Sequence, residues 1–137
     1  MAKVHFFYST MNAGKSTALL QSAHNYHETG NETILFIPRE DADKNLGLIK
    51  SRIGLSASAV VIDSKLKIYN YVKKELSQRK VDAILVDEAQ FLKKDHVLQM
   101  CKVCDELQIP VMCYGIRTDF RGELFEGSAS LLALADN

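Results

Sequence analysis

The chain has few of the features that mark extracellular, membrane or nucleic-acid-binding proteins. It contains only three cysteines, and none of its apolar runs approaches the length needed to span a bilayer. Its 17 basic and 17 acidic residues balance, which argues against a broad basic face for nucleic acid but is compatible with a local basic pocket. With 137 residues, 47% hydrophobic and 25% charged, the sequence is typical of one globular domain. We therefore predict neither membrane nor nucleic acid as a partner.

The three cysteines are Cys101, Cys104 and Cys113. The N-terminal residues 1–3 do not resemble a signal peptide, so we expect reduced thiols and a cytoplasmic location. The spacing Cys101-x-x-Cys104 also admits a metal or redox site. However, the pair lies on the apolar face of a helical pattern, with no second pair or histidine partner. Buried structural cysteines are therefore the favoured interpretation.

The most informative stretch follows the first apolar run. Its Gly14-Lys15-Ser16 segment, between a strand-like run and a helix-like segment, has the layout of a phosphate-binding P-loop. Backbone N–H groups and the positive end of the helix would bind the phosphates, Lys15 would reach the β- and γ-phosphates, and Ser16 would ligate Mg²⁺. The alternative is an ordinary turn with a surface lysine. The predicted phosphate-binding residues are Ser9, Thr10, Met11, Asn12, Ala13, Gly14, Lys15, Ser16 and Thr17, where Ser9 replaces the first glycine of the usual pattern.

Strand-like and helix-like segments alternate along the whole chain. This alternation predicts an α/β fold, the RecA-like three-layer sandwich of P-loop NTPases with a central, mainly parallel sheet. Residues 39–57 and 117–127 are expected to be polar loops. The predicted strands are 3–8, 33–37, 59–62, 83–86 and 109–114, and the predicted helices are 15–29, a segment capped by Asp63 or Ser64 and ending near Leu76, 95–107 and 128–135.

An acidic pair follows the fourth strand-like run. Asp87 ends an apolar strand, as in a Walker B motif, and one such carboxylate near Ser16 suffices for Mg²⁺. Glu88 comes next and would point the other way in an extended segment, where it can accept a proton from an attacking hydroxyl or water. The alternative is a solvated acidic turn. Because parallel strands present their carboxyl ends at one edge, we expect the P-loop, this pair and the 115–127 segment to form one site.

Other candidates are less specific. Arginines in the polar loops can spread positive charge over a transferring phosphoryl group, or they can be solvated or paired structurally. Aromatic residues near strand ends can stack on a base, or they can belong to the core. The histidines are scattered and no three of them suggest a metal site. These candidates are Arg52, Arg117 and Arg121, then Phe91, Phe120 and Phe125, and finally His5, His24, His27 and His96.

Several stretches together resemble the thymidine kinase family, in particular its bacterial branch, which also has serine at position 9. The resemblance covers essentially the whole chain and is weakest over 39–50, where residues 40–46 lack an expected Asp-x-Arg pattern. The stretches are Tyr8-Ser9-Thr10-Met11-Asn12-Ala13-Gly14-Lys15-Ser16-Thr17, Ser51-Arg52-Ile53-Gly54-Leu55, Val86-Asp87-Glu88-Ala89-Gln90-Phe91 and Cys113-Tyr114-Gly115-Ile116-Arg117-Thr118-Asp119-Phe120-Arg121-Gly122-Glu123-Leu124-Phe125.

The resemblance implies ATP- and Mg²⁺-dependent phosphorylation of the thymidine 5′-hydroxyl, which gives thymidine monophosphate. It implies that Glu88 is the base, that Arg52 assists the transferring phosphate, and that Asp87 and Gln90 join the P-loop in binding the nucleotide. It also implies a homotetramer and feedback inhibition by thymidine triphosphate (dTTP). The residues that resemble the family's apolar wall around thymine are Met11, Phe91, Phe120 and Phe125.

Family members continue into a zinc-bearing part with a lasso loop over thymidine. We therefore interpret residues 1–137 as the P-loop kinase domain without that part, and structural Zn²⁺ is expected only in the missing part. Because lids exclude water and complete sites, such a chain is expected to bind nucleotide but to phosphorylate thymidine poorly. The alternatives are a RecA-like ATPase module and a non-catalytic nucleotide-binding domain.

Overall fold

A computed structural model of the chain describes residues 2–9, 15–39, 47–50, 56–116 and 125–135. These segments contain a parallel sheet whose strands are mostly separated in the sequence by helices, which confirms the predicted α/β class. The strands are β1 (Val4–Ser9), β2 (Thr33–Pro38), β3 (Leu48–Lys50), β4 (Ser56–Ser58), β5 (Val60–Ile62), β6 (Ala83–Val86) and β7 (Val111–Ile116). The helices are α1 (Lys15–Glu28), α2 (Ile68–Leu76), α3 (Lys94–Lys102) and α4 (Glu126–Leu134), with a 3₁₀ turn at Ala89–Phe91 and a π turn at Val103–Leu107.

Five strands form one parallel sheet in the order β1-β7-β6-β2-β5. Every residue of β6, the central strand, is buried, as expected for a parallel strand covered on both faces. The register places Ser9 beside Ile116, and Val86 beside both Phe36 and Cys113. The carboxyl ends of β1, β7, β6 and β2 therefore lie along one edge of the sheet.

Apolar clusters on both faces of the sheet make the fold a three-layer sandwich. On one face, α2, α3 and α4 pack Val72, Met100 and Leu131 against strand residues such as Phe36. On the other face, α1 packs Leu19 and Leu20 beside residues from β2, β3, β6 and β7. No helix in the described segments is long and apolar enough to cross a membrane.

The predicted first helix is confirmed, and its end has a clear cause. Gly30 has a φ of 79°, a left-handed conformation that glycine adopts without a steric cost. Its N–H donates to the His27 carbonyl at 3.0 Å, and the Asn31 N–H donates to the Tyr26 carbonyl at 2.8 Å. This is a Schellman motif, which uses carbonyls that the end of the helix would leave without partners.

Two expectations about the second quarter of the chain are wrong. The predicted loop 39–57 contains β3 and begins β4, which pair antiparallel; residues 40–46 and 51–55 lie outside the described segments. Asp63 does not cap the next helix. Its Oδ1 accepts the N–H groups of Lys65 and Leu66, both at 2.9 Å, and so closes a turn that precedes α2. The helix begins at Ile68 with no side-chain cap, because its apolar face positions it instead.

Three other boundaries differ from the prediction by a few residues. β7 begins after Pro110, because proline cannot donate a hydrogen bond within the strand. The strand continues to Ile116, two residues beyond the predicted end. The predicted helix 95–107 is confirmed, but its last turn, from Val103, is a π turn. α4 begins at Glu126, two residues before the predicted start. The exact ends of these strands and helices depend on contacts with other elements. The local sequence pattern carries no information about those contacts.

Candidate functional site

The two halves of the predicted phosphate and metal site meet at the carboxyl edge of the sheet. Residues 10–14 lie outside the described segments, but β1 before them and α1 after them are described. β1 ends at Ser9, beside Ile116 at the end of β7, and α1 begins at Lys15. A helix N-terminus presents free N–H groups and a positive dipole end.

Ser16 and Asp87 are in direct contact across this edge. The Ser16 hydroxyl donates to Asp87 Oδ2 at 2.8 Å, although 71 residues separate them in the sequence. Asp87 is only 3% exposed, and its N–H donates to the Phe36 carbonyl at 3.0 Å, which extends the β6–β2 ladder by one residue. A hydroxyl and a carboxylate held together are hard oxygen donors of the kind that Mg²⁺ prefers. The two predicted metal residues therefore fit that ion.

Glu88 lies directly beside Asp87 but does not continue the strand. The expectation that it would point away in an extended segment is wrong, because its φ of 51° and ψ of 43° are left-handed. Such a conformation costs a non-glycine residue about 1–3 kcal/mol and is found where the surrounding structure imposes it. Here the Phe91 N–H donates to the Glu88 carbonyl at 3.1 Å and closes a tight turn. The carboxylate is largely buried.

Gln90 connects Glu88 to β7. Its Nε2 donates to Glu88 Oε2, and its Oε1 accepts the Ile116 N–H at 3.2 Å. The side chain is 3% exposed. Its predicted role in binding the nucleotide stays a prediction, and in the structure both ends of its amide are already engaged within the protein.

The structure brings two of the predicted aromatic residues together. The rings of Phe91 and Phe125 meet edge to face, with centroids 5.8 Å apart and planes at 77°. Phe91 also lines a cavity of about 210 Å³ beyond the ends of β2 and β5. The cavity carries both charges, from Arg39, Lys93 and Asp63, and hydrogen bonds from backbone N–H groups, chiefly that of Lys65, lower the pKa of Asp63. The contact between Phe91 and Phe125 therefore lies at the same edge of the sheet as Glu88.

The remaining predicted residues are the cysteines, the histidines and the residues that lie outside the described segments. Cys104 and Cys113 are buried and Cys101 is half-buried, and none of the three forms a disulfide, as predicted for structural thiols. Of the histidines, His24 is exposed beside Glu28, and His96 accepts the Lys93 N–H at the start of α3. Predicted residues that lie outside the described segments are Thr10, Met11, Asn12, Ala13, Gly14, Arg52, Arg117, Phe120 and Arg121, and the same holds for the side chains of Ser9 and Lys15.

Sequence reasoning missed the residues that support the Glu88 turn. A Cβ on Gly115 would lie 2.7 Å from Gln90 Oε1, and a Cβ on Gly127 would overlap the Ala89 carbonyl. Both glycines therefore allow the 3₁₀ turn to approach β7 and α4 closely. Ser128, fully buried, donates to the Ile116 carbonyl at 2.5 Å. The available signal was Gly115, which directly follows the predicted strand 109–114 and lies inside the observed β7, where a glycine often marks a close backbone approach.

Comparisons with known proteins match nearly the whole chain. The family model described as thymidine kinase matches residues 2–137. A thymidine kinase of Zymomonas mobilis is 50% identical over 136 residues, which cover 99% of this chain and 70% of the relative. A thymidine kinase of Haemophilus influenzae is 51% identical with the same coverage, and one of Photorhabdus laumondii is 51% identical over 99% of this chain and 68% of the relative.

Proposed function

The chain belongs to the thymidine kinase family, and from this membership we propose how the site at the carboxyl edge of its sheet performs the family's reaction. The activity is phosphorylation of thymidine with ATP as the phosphoryl donor. The contact between Ser16 and Asp87 carries the proposal, because it joins the end of the P-loop to the Walker B strand.

Ser16 and Asp87 are the residues that would hold Mg²⁺ in the ATP-bound enzyme. The ion would supply charge neutralisation on the β- and γ-phosphates. The N–H groups at the start of α1 and the Lys15 side chain would bind the triphosphate, and Arg52 would stabilise the transferring group. Positioning and electrostatic stabilisation account for most of the rate in phosphoryl transfer.

Glu88 is the proposed general base. As the 5′-oxygen of thymidine forms its bond to the γ-phosphorus, the bond from that phosphorus to the bridging oxygen of ADP breaks, and the hydroxyl proton passes to the Glu88 carboxylate. The left-handed turn lets Glu88 and Asp87, adjacent in sequence, serve the acceptor and the metal separately. Phe91 and Phe125 would contact the thymine ring, together with Met11 and Phe120.

Three further features complete the proposal. Ser9, Thr10 and the rest of the P-loop to Thr17 contribute to nucleotide binding. The assembly is a homotetramer inhibited by dTTP, as the family resemblance implies. The location is the cytoplasm, which suits three cysteines that form no disulfide.

The test uses two serines of the same helix. Ser16→Ala should reduce thymidine-dependent ATP consumption at least tenfold and raise the Mg²⁺ concentration needed for half-maximal rate. The control is Ser22→Ala, which loses a comparable side-chain hydrogen bond, to the Tyr114 hydroxyl at 3.1 Å, on a part of α1 away from Asp87. It should keep near-normal turnover.

Three results would contradict the proposal. Equal activity and equal Mg²⁺ dependence of the two variants would remove the metal role of Ser16. ATP consumption by wild-type protein that does not depend on thymidine would indicate an ATPase module. ATP binding without turnover under any condition would indicate a non-catalytic nucleotide-binding domain.

A further inference from the structure

Three consecutive hydrogen bonds link the Glu88 carboxylate to α4. The buried Ser128 hydroxyl donates to the Ile116 carbonyl at 2.5 Å. The Ile116 N–H donates to Gln90 Oε1 at 3.2 Å, and Gln90 Nε2 donates to Glu88 Oε2. The chain thus runs from the last helix through the end of β7 and the 3₁₀ turn to the proposed base.

The chemistry of the partners gives the Gln90 amide a single orientation. A backbone N–H is only a donor, so the atom of Gln90 that faces Ile116 must be the amide oxygen. The amide nitrogen then faces the carboxylate of Glu88, which is an acceptor when ionised. A flipped amide would place two donors together at Ile116 and two acceptors together at Glu88, and both contacts would be repulsive.

The packing around Gln90 reinforces this orientation. The side chain is 3% exposed and lies against Gly115, whose missing Cβ would otherwise be 2.7 Å from Gln90 Oε1. The backbone of Gln90 also lies close to Gly127. A Cβ on Gly127 would be 2.9 Å from the Gln90 carbonyl oxygen. Two glycines therefore make room for this one side chain and its turn, and the space allows little movement.

We propose that Gln90 is a positioning residue that holds the Glu88 carboxylate in one orientation, anchored by Ile116 and Ser128. Its effect on turnover rests on the proposed function, in which Glu88 is the base. Gln90 acts through Glu88, and its amide need not touch either substrate.

The test compares two glutamines with matched bonding. Gln90→Met keeps the length of the side chain and removes both hydrogen bonds. The control is Gln99→Met on α3, since Gln99 also uses both amide atoms: its Nε2 donates to Asp95 at 2.8 Å and its Oε1 accepts the Tyr69 N–H at 3.2 Å. Neither partner of Gln99 belongs to the site.

Gln90→Met should lower kcat roughly 100-fold, the loss that follows misplacement of a reacting group by about 1 Å. The KM values for ATP and thymidine should stay within about twofold of wild type, since neither substrate loses a contact. Gln99→Met should retain wild-type kcat although it also loses two side-chain hydrogen bonds. If Gln90→Met does not fold, the isosteric Gln90→Glu replaces it and should also lower kcat, because it places a second carboxyl group against Glu88.

Crystal structures of wild type and Gln90→Met supply a readout that does not depend on activity. We expect the Glu88 carboxylate to leave its wild-type position in Gln90→Met, while the backbone turn at Glu88 persists. An unmoved carboxylate, an unchanged kcat, an equal loss of kcat in the two glutamine variants, or a raised KM at constant kcat would each overturn it. Wild-type protein that does not phosphorylate thymidine would instead refute the proposed function, and the two structures would still decide the role of Gln90.

Discussion

Replacing Glu88 by glutamine tests the proposed chemistry most directly. Glutamine has the shape of glutamate, and its amide oxygen can still accept from Gln90 Nε2, so the turn and the fold should survive. The variant lacks a group that can take the proton of the thymidine 5′-hydroxyl. Loss of a general base typically costs two to four orders of magnitude in rate, or roughly 3–5 kcal/mol of transition-state stabilisation.

We therefore expect Glu88→Gln to lower kcat by roughly 10²–10⁴. Its affinity for ATP should stay near the wild-type value, because Ser16, Asp87 and the start of α1 are unchanged. Turnover is measured as thymidine-dependent ADP release in a coupled assay, and affinity is measured by calorimetry with MgATP. The control is Glu75→Gln, which neutralises a glutamate of α2 whose partner is Arg79 at 3.2 Å, away from the site.

The two measurements together decide the role of Glu88. If Glu88→Gln turns over thymidine at a rate close to that of Glu75→Gln, Glu88 is not the base and the proton must pass elsewhere. If the variant loses ATP affinity as well as turnover, Glu88 contributes to nucleotide binding, and the division of tasks between Asp87 and Glu88 is wrong.

Two further predictions concern the framework of the site. Gly127→Ala should destabilise the protein by about 3 kcal/mol or more, because its Cβ has no space beside the Ala89 carbonyl, whereas Gly30→Ala should cost only about 1–2 kcal/mol for its positive φ; chemical denaturation measures both, and equal losses would contradict the packing argument. Burial raises the pKa of the Cys113 thiol far above its ordinary value of 9.0, so folding stability should fall as pH rises above that value, where only the unfolded thiol ionises. Denaturation at pH 8 and pH 10 measures the fall, which should be smaller in Cys113→Val; an equal fall in both proteins would refute this cause.

The local pattern predicts the order of elements well because each signal is short in range. The apolar strands, the helix that ends at Gly30 and the acid after β6 all follow from residues within a few positions of one another. The antiparallel pair of β3 and β4 could not be found in this way, since each strand has only three residues and is stabilised by its partner. The turn at Asp63 was misassigned for a similar reason: the same side chain can cap a helix or close a turn.

The sequence by itself determined the chemistry available at this site: a P-loop, an aspartate at a strand end and a glutamate beside it, each encoded by neighbouring residues. Only the tertiary structure decided how these groups are arranged. The contact of Ser16 with Asp87 and the orientation of Glu88 by Gln90 and Ile116 join residues from different strands and helices. The reason is physical, because hydrogen-bond geometry and close packing depend on distances across the sheet, and those distances exist only after the chain has folded.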